Sequence, residues 1–299
     1  MPPPPRSRAL VGYGLVTAAA FSWGAQAVVA RVLLTSGVPA SELVSARTAA
    51  ASGILVATLA TLQPRLLRIG LADLGRLAAL GVVGMALSQY SYYFALTRIP
   101  VATTLLIIYT SPLFVLAAVV LLYREPLRRH EVVAAALTLL GAALVIRAYD
   151  VQVLRLNAAG FVAGLFCAAA FAFYSLWAKT LPHVSPWTML VYSLGSATAF
   201  WVPLVPPWLF LLAPHPPRMW VGFAVVVIFG TLVPFALYLA GLARITAAQA
   251  SVTSTLEPVV AAFVAFLALG ETLTAPQVLG GALVLGGIAL LQAGSDFEI

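Results

Sequence analysis

A polar segment lies inside the ninth apolar stretch of the chain, just before Pro258. Thr246, Gln249, Thr253 and Glu257 recur at helical spacing, and at 100° per residue they fall on one stripe about 80° wide. Polar side chains in hydrocarbon are costly unless they face water or a partner, so the stripe is predicted to line an internal cavity. The alternative is that these groups form hydrogen bonds between packed helices.

Glu257 is the only acid deep inside an apolar stretch. Desolvation favours the neutral form of a carboxyl group, so this residue is a candidate proton carrier, or a partner for an amino group or an arginine. Pro112 and Pro258 each remove one backbone hydrogen bond within a helix, and they are candidate helix breaks or hinges near a binding site. A structural bend without a ligand is the alternative.

Amide and aromatic side chains inside the apolar stretches complete the set of candidates for a substrate cavity. Buried hydroxyls and amides need partners, whereas the rings suit a flat or apolar ligand. A position in the core or facing lipid is the default for any single one of them. The candidates are Trp23, Gln26, Gln89, Tyr90, Tyr109, Phe173, Tyr174 and Tyr238, in addition to Gln249, Thr253 and Glu257.

No arrangement of residues predicts catalysis. His130, His183 and His215 lie in separate loops without a second metal ligand at a suitable spacing. The single cysteine, Cys167, permits neither an intrachain disulfide nor a cysteine metal site, and a GxxxxGK[ST] phosphate loop is absent. The sequence therefore predicts a protein that is not an enzyme, uses no metal or cofactor, and draws its energy from a gradient.

The composition excludes a water-soluble globule. Hydrophobic residues make up 62% of the 299 residues and charged residues only 8%, against roughly 25% charged in soluble domains. The net charge of +7 comes mainly from scattered arginines, which argues against a nucleic-acid partner and for a lipid bilayer. Arg31 and Arg47, toward the outer ends of the first two apolar stretches, are predicted to snorkel to the membrane surface, and binding of a substrate carboxylate is the alternative.

Ten apolar stretches are candidates for membrane-spanning helices. A helix needs about 20 residues to cross a hydrocarbon core of about 30 Å. The first stretch has a rival interpretation as a secretory signal, which its counterpart later in the chain argues against. The stretches lie within 9–30, 48–64, 77–97, 99–123, 132–146, 156–178, 180–217, 219–243, 245–270 and 272–295.

An internal repeat relates the two halves of the chain, predicted as 1–150 and 151–299. Residues 84–144 match 230–290 without gaps at an offset of 146, with 17 identities in 61 positions. This offset pairs Glu257 with Ser111, so the repeat does not require a charge there. A shorter match at an offset of 150 makes Phe173 the counterpart of Trp23.

The number of spans in each half determines the predicted topology. Five is odd, so the second half must enter the membrane from the opposite side. The predicted fold is an all-α membrane protein with ten transmembrane helices in two inverted five-helix repeats, which is typical of secondary transporters. Short loops on the N-terminal side carry ten lysines and arginines against five on the other, which predicts that both termini are cytoplasmic.

Three sets of motifs resemble the EamA branch of the drug/metabolite transporter superfamily (DMT). The resemblance covers nearly the whole chain and implies alternating access of a small-molecule substrate to a central cavity. Within the branch the chain is similar to bacterial inner-membrane exporters of amino acids, especially aromatic ones. Efflux of lipophilic drugs or other metabolites is the alternative, and a monomer suffices for either. The motifs are Phe21-Ser22-Trp23-Gly24, Pro112 followed by Glu125-Pro126-Leu127, and Glu257-Pro258 followed by Gly270-Glu271-Thr272-Leu273.

Overall fold

Helices account for every regular element that the structure describes. The computed structural model describes residues 6–99, 101–122, 124, 128–149, 157–269 and 274–294, and no β-strand occurs in these ranges. Residues up to 149 form α1 (Arg6–Thr35), α2 (Ala40–Leu62), α3 (Leu71–Gly81), α4 (Ser88–Arg98), α5 (Val101–Ile108), α6 (Ser111–Leu121) and α7 (Arg129–Val145). Residues from 157 form α8 (Ala158–Lys179), α9 (Pro186–Trp201), α10 (Trp208–Leu211), α11 (Pro217–Val227), α12 (Val233–Leu242), α13 (Ala247–Ser254), α14 (Glu257–Leu269) and α15 (Ala275–Gly294).

Five continuous helical stretches among the described residues are long and apolar enough to cross a membrane. Each exceeds the roughly 20 residues that a span needs. Two predicted spans correspond to shorter helices. The span 132–146 overlaps α7, which has 17 residues and begins three residues earlier, and the span 180–217 contains α9, which has 16 residues. The five long stretches are Ser7–Thr35, Ala40–Leu62, Leu71–Arg98, Ala158–Lys179 and Pro217–Leu242. These lengths and compositions are those of an all-helical membrane protein.

α2 begins eight residues before the predicted span 48–64, because two charged residues lie inside the helix. Glu42 occupies its first turn, where the helix dipole favours a negative charge. Arg47 follows in the second turn, and its side chain is buried. A search for stretches without charged residues therefore places the start of this span too late. Gly37, with φ of +93°, closes the short turn before α2 in a conformation that favours glycine.

The helices are interrupted at matching positions in the two parts of the chain. A π-helical turn at Val82–Leu87 joins α3 to α4, and another at Ile228–Leu232 joins α11 to α12, so that the two turns start at positions related by the offset of 146. The breaks between α5 and α6 and between α13 and α14 recur at the same spacing. Each break precedes a helix whose second residue is a proline, Pro112 or Pro258. The positions of irregular backbone thus follow the offset of the internal sequence match.

α1 and α8 make equivalent crossings with helices of the other part of the chain. α1 packs against α11 to α14, and α8 packs against α4, α5 and α6. A Cβ atom added at Gly12 would lie 2.9 Å from the Cβ of Arg244, and one added at Gly160 would lie 2.9 Å from the Cβ of Arg98. Since Gly12 and Gly160 are related by an offset of 148, these contacts set the register of α1 and α8 at this value and not at 150.

This register corrects the predicted counterpart of Trp23, which is Phe171 and not Phe173. The rings of Trp23 and Phe171 meet edge to face with centroids 6.0 Å apart. Phe173 instead stacks on Trp177 at 5.1 Å. Alanine-rich segments match each other at several offsets, so the sequence alone does not define this register. The contacts of Gly12 and Gly160 with the crossing helices determine it.

α8 runs antiparallel to α1. Arg8, in the first turn of α1, lies close enough to Lys179, the last residue of α8, for an electrostatic interaction. Further along α1, Trp23 meets Phe171 of α8. As the chain advances along α1 from Arg8 to Trp23, the residues of α8 that lie beside it change from Lys179 to Phe171, so the two helices run in opposite directions.

α7 and α15 form a close pair that depends on glycine. A Cβ atom at Gly141 would lie 2.6 Å from the carbonyl oxygen of Gly280, and one at Gly280 would lie 2.6 Å from the carbonyl oxygen of Gly141. Only residues without a Cβ allow two backbones to approach this closely, as is common where helices pack in lipid. The contact joins the last helix of each part of the chain.

Candidate functional site

A cavity lies where the broken helices meet α1, α2, α4 and α8, and together with the solvent-filled space at its opening it measures about 680 Å³. Five aromatic side chains contribute to its walls: Trp23, Tyr92, Tyr93, Tyr109 and Phe171. Its polar lining comes from both parts of the chain and consists of Gln26, Arg47, Ser88, Gln89, Ser111, Ser254 and Glu257.

The two proline-linked helix breaks bring residues of both parts of the chain to this cavity. Proline has no N–H to donate to the carbonyl group four residues earlier, and its ring crowds that carbonyl. The chain therefore leaves helical geometry just before Pro112 and Pro258. Tyr109 at the first break and Glu257 at the second line the cavity. Both prolines stand at helix breaks, and their action as hinges stays a prediction.

Trp23 occupies the centre of the aromatic wall. Its ring packs edge to face on Phe171 and on Phe235, with centroids 6.0 and 5.2 Å away, and lies 5.7 Å from the ring of Tyr238. Tyr174 packs on Phe235 from behind, with centroids 5.7 Å apart. Tyr174 and Tyr238 are fully buried, so they form a second layer that supports the rings exposed to the cavity.

Arg47 lies in the protein interior, and the prediction that it snorkels is wrong. Only 1% of its surface is exposed. Its Nη1 donates to the Tyr93 hydroxyl at 2.6 Å and its Nη2 donates to Gln89 Oε1 at 2.8 Å. Arg47 lies in the second turn of α2, and this face of the helix meets α4, which supplies both acceptors. Hydrogen-bond partners inside the protein therefore hold the guanidinium group of Arg47, which does not reach the membrane surface.

Glu257, the first residue of α14, brings a carboxyl group to the same cavity. Its side chain lies near the hydroxyl groups of Tyr92 and Tyr109. Gly24 of α1 allows this approach, since a Cβ atom there would lie 2.7 Å from the Glu257 carbonyl oxygen. No nitrogen of Arg47 lies within 4.0 Å of the Glu257 carboxylate. The cavity thus holds a basic and an acidic side chain that do not pair with each other.

The predicted site residues fall into three groups in the structure. Tyr90 packs against Trp201, with ring centroids 5.4 Å apart, and Phe173 packs against Trp177, so neither lines the cavity. Tyr174 and Tyr238 stand in the second layer. The predicted residues that line the cavity are Trp23, Gln26, Gln89, Tyr109 and Glu257.

The polar stripe predicted along 246–257 needs correction, because only Glu257 reaches this cavity. Thr246 is the N-cap of α13 and exchanges hydrogen bonds with Gln249 in a capping box. The Thr253 hydroxyl donates to the Gln249 carbonyl oxygen at 2.8 Å, within its own helix. The stripe assumed one continuous helix, whereas the break before Pro258 separates α13 from Glu257.

Several sequence features cannot be placed in this way. Glu125-Pro126-Leu127, Gly270-Glu271-Thr272-Leu273 and the side chain of Arg31 lie outside the described residues. Within the part of the chain that the structure describes, no three His, Cys, Asp or Glu side chains come together as a metal site.

Comparison with known proteins identifies the family. The model of the EamA-like transporter family matches residues 10–147 and 158–292. This chain belongs to that family, within the DMT superfamily. It is therefore a transporter of the EamA family.

Relatives of this EamA transporter span most of its length. An uncharacterized transporter of Archaeoglobus fulgidus is 30% identical over 225 residues, 74% of this chain and 78% of that protein. The uncharacterized inner membrane transporter YicL of Salmonella typhimurium is 25% identical, with 94% of each chain covered. A protein of Streptantibioticus cattleyicolor named a probable terminal-alkyne amino-acid exporter is 25% identical over 74% of this chain and 73% of that protein.

A solved crystal structure shares the fold of this EamA transporter. The two chains are 20% identical, and the match covers 97% of this chain and 98% of the other, with a TM-score of 0.78. This likeness concerns the fold alone.

Sequence reasoning did not assign two residues of the EamA cavity that matter for its chemistry. Snorkelling was preferred to carboxylate binding for Arg47, and Phe171 was not among the cavity candidates. A helix that begins directly after Pro39 carries Arg47 about two turns from its end. This distance from the helix end was the sequence signal that Arg47 lies within the span. The signal for Phe171 was the register of α1 and α8, which only their glycine contacts define.

Proposed function

We propose that this chain is a secondary carrier that exports amino acids, aromatic and neutral ones in particular, and related small metabolites across the bacterial inner membrane by alternating access. The observation that carries this proposal is the cavity between the two parts of the chain, which is lined by aromatic rings, one arginine and one carboxyl group that has no cationic partner among the described residues. Such walls offer both polar anchors and an apolar surface to one small molecule. The name of the S. cattleyicolor relative supports amino-acid export.

The proposed architecture consists of ten transmembrane helices in two inverted five-helix repeats, 1–150 and 151–299. Three observations support it: the interruptions that recur at the offset of 146, the equivalent crossings of α1 and α8, and the antiparallel course of these two helices. Two such halves can rock about a cavity between them. One chain supplies both halves, so a monomer suffices.

The proposed orientation has both termini in the cytoplasm, because the short loops on that side carry the excess of basic residues. A reporter fused after Ile299 tests it. A reporter that is active in the cytoplasm agrees with this orientation, and one that is active only on the outer face contradicts it.

Efflux of lipophilic drugs is the second candidate function, and the aromatic wall around Trp23 favours it. Arg47 and Glu257 argue against it, since a purely lipophilic ligand would leave both groups without a partner of opposite charge in the interior. Amino acids satisfy such groups, so they are the better match to this cavity.

Counterflow in proteoliposomes tests the proposed function. Purified protein is reconstituted into vesicles loaded with unlabelled phenylalanine or threonine, and entry of the labelled amino acid is measured at two pH gradients. We expect saturable exchange of phenylalanine, and a change of rate with the pH gradient would add coupling to protons. Saturable movement of neither amino acid, together with transport of ethidium, would replace the proposal by drug efflux.

A further inference from the structure

Two buried polar atoms at the cavity have no hydrogen-bond partner. They are Gln26 Oε1 and Arg47 Nε. The residues that carry them are 8% and 1% exposed. Buried polar atoms in folded proteins are nearly always paired, so each exception needs an explanation. One ligand that carries both hydrogen-bond donors and acceptors would satisfy both.

The guanidinium group of Arg47 is arranged to receive an anion. Both of its present acceptors, Tyr93 and Gln89, are neutral. Among the described residues no carboxylate lies within 4.0 Å of it, so nothing in its surroundings neutralises its charge. A guanidinium fork matches the two oxygens of a carboxylate and binds them in parallel. The vacant donor and the unbalanced charge together favour a carboxylate.

Glu257 and Gln26 offer the opposite chemistry. The Gln26 Nε2 donates to the Trp23 carbonyl oxygen at 3.3 Å, which leaves its Oε1 as an acceptor without a donor. The carboxyl group of Glu257 has no cationic partner among the described residues. Two acceptors at one cavity favour a group that carries several N–H donors, which is the property of an ammonium group.

We propose that the site is built for a zwitterion: Arg47 binds the carboxylate of an α-amino acid, Glu257 and Gln26 bind its ammonium group, and the rings of Trp23 and Phe171 contact its side chain. This inference rests on the proposed function and makes Arg47 a determinant of specificity. It requires both charges on the ligand, because an analogue that lacks either one leaves a buried group unpaired.

Three ligands with the same ring test this requirement on the wild-type protein. Phenylalanine carries both charges, phenethylamine lacks the carboxylate, and 3-phenylpropanoate lacks the ammonium group. As competitors of labelled phenylalanine uptake into proteoliposomes, each analogue is expected to be weaker than phenylalanine by roughly 30-fold or more. If the analogues compete as well as phenylalanine does, the zwitterion site is wrong. Uptake of labelled phenylalanine in the same experiment would still support amino-acid transport. No uptake of any amino acid would end both proposals.

Charge-neutral variants assign the two ends of the ligand. Arg47→Gln should weaken phenylalanine and 3-phenylpropanoate by roughly 30-fold or more and leave phenethylamine unchanged, whereas Glu257→Gln should weaken phenylalanine and phenethylamine and leave 3-phenylpropanoate unchanged. Arg76→Gln and Glu42→Gln remove the same charges outside the cavity and are the matched controls. A loss of equal size for all three ligands would show a merely structural role and overturn the assignment.

Folding of the variants is checked by size-exclusion elution and by ligand-induced shifts of the unfolding temperature. If Arg47→Gln does not fold, Arg47→Lys keeps the charge without the fork. It should weaken phenylalanine more than phenethylamine, and an equal effect on both ligands would contradict the role of the guanidinium.

Discussion

Replacing Gly84 with alanine should destabilise the protein, because the added methyl group has no room. A Cβ atom there would lie 2.5 Å from Cδ2 and 2.9 Å from Cβ of Tyr174. Contacts between carbon atoms normally lie at about 3.5–4.0 Å, so the π-helical turn and α8 would have to separate by about 1 Å. Tyr174 cannot turn away, because it is fully buried with Phe235 and Tyr238 packed on its ring.

The expected magnitude follows from two opposing effects. Overpacking of an interior costs about 1–3 kcal/mol, and replacing glycine by alanine within a helix returns up to about 1 kcal/mol. Gly14 provides the matched control, because it lies in α1 with nothing within 4 Å of an added Cβ. The gain is common to both variants, so Gly84→Ala should be about 1–3 kcal/mol less stable than Gly14→Ala, a separation of roughly 2–12 °C in unfolding temperature.

Gly230, the counterpart of Gly84 at the offset of 146, should behave differently. At Gly230 the obstacle is the end of the Gln26 side chain, with Oε1 2.8 Å from the added Cβ. A flexible amide can rotate into the adjoining cavity, so we expect Gly230→Ala to cost less than about 1 kcal/mol. Its effect should appear in the KM for phenylalanine uptake, because the displaced Gln26 is a proposed ligand of the substrate.

Thermal unfolding of the purified protein in detergent, followed by tryptophan fluorescence, measures these differences. A double-mutant cycle with Tyr174→Ala isolates the contact, and Gly84→Ala should cost at least about 1 kcal/mol less in that background. The reasoning is refuted if Gly84→Ala and Gly14→Ala unfold at the same temperature. It is also refuted if Gly84→Ala destabilises the Tyr174→Ala background as much as it destabilises the wild-type protein.

Three further predictions use the same unfolding measurement. Tyr238→Phe removes a hydroxyl that lies 2.6 Å from the Ser175 hydroxyl. It should cost about 0.5–1.5 kcal/mol, and no loss would contradict that bond. Gly141→Ala places a methyl group against the backbone of α15 and should cost about 1–3 kcal/mol, whereas Gly286→Ala, with open space around it, should be neutral or stabilising; equal effects would count against the close crossing. Asp73→Asn removes the carboxylate that lies 2.8 Å from Nε2 of the exposed His183, and it should cost less than about 1 kcal/mol because contacts at the surface contribute little; a larger loss would contradict this estimate.

The helical, membrane-embedded class of this protein could be predicted because it depends on averages over many residues. A mean composition with so few charges requires lipid as solvent, and lipid requires every backbone group to be satisfied within a helix. The boundaries of individual helices could be predicted less accurately from the sequence. A search for stretches without charged residues misplaces the start of α2, because Glu42 and Arg47 lie inside this helix.

The candidate site was predicted best where a backbone constraint acts locally. Proline interrupts a helix in any context, so the sequence located the breaks that bring Tyr109 and Glu257 to the cavity. Gln249 and Thr253 were misassigned because the angular argument carried one helix across such a break. For Tyr90 and Phe173, no local feature distinguishes a ring at the cavity from a ring packed beside it.

Composition, the prolines and the repeat at an offset of 146 are properties of the chain itself, and by themselves they determined the class of protein and the places where its helices break. The partners of Arg47, the separation of Arg47 from Glu257 and the pairing of Trp23 with Phe171 were decided only by the tertiary structure. The physical reason is that these features depend on which helix faces cross and in what register. That register is determined by contacts between residues far apart in sequence, such as Gly12 against Arg244, and not by any local pattern.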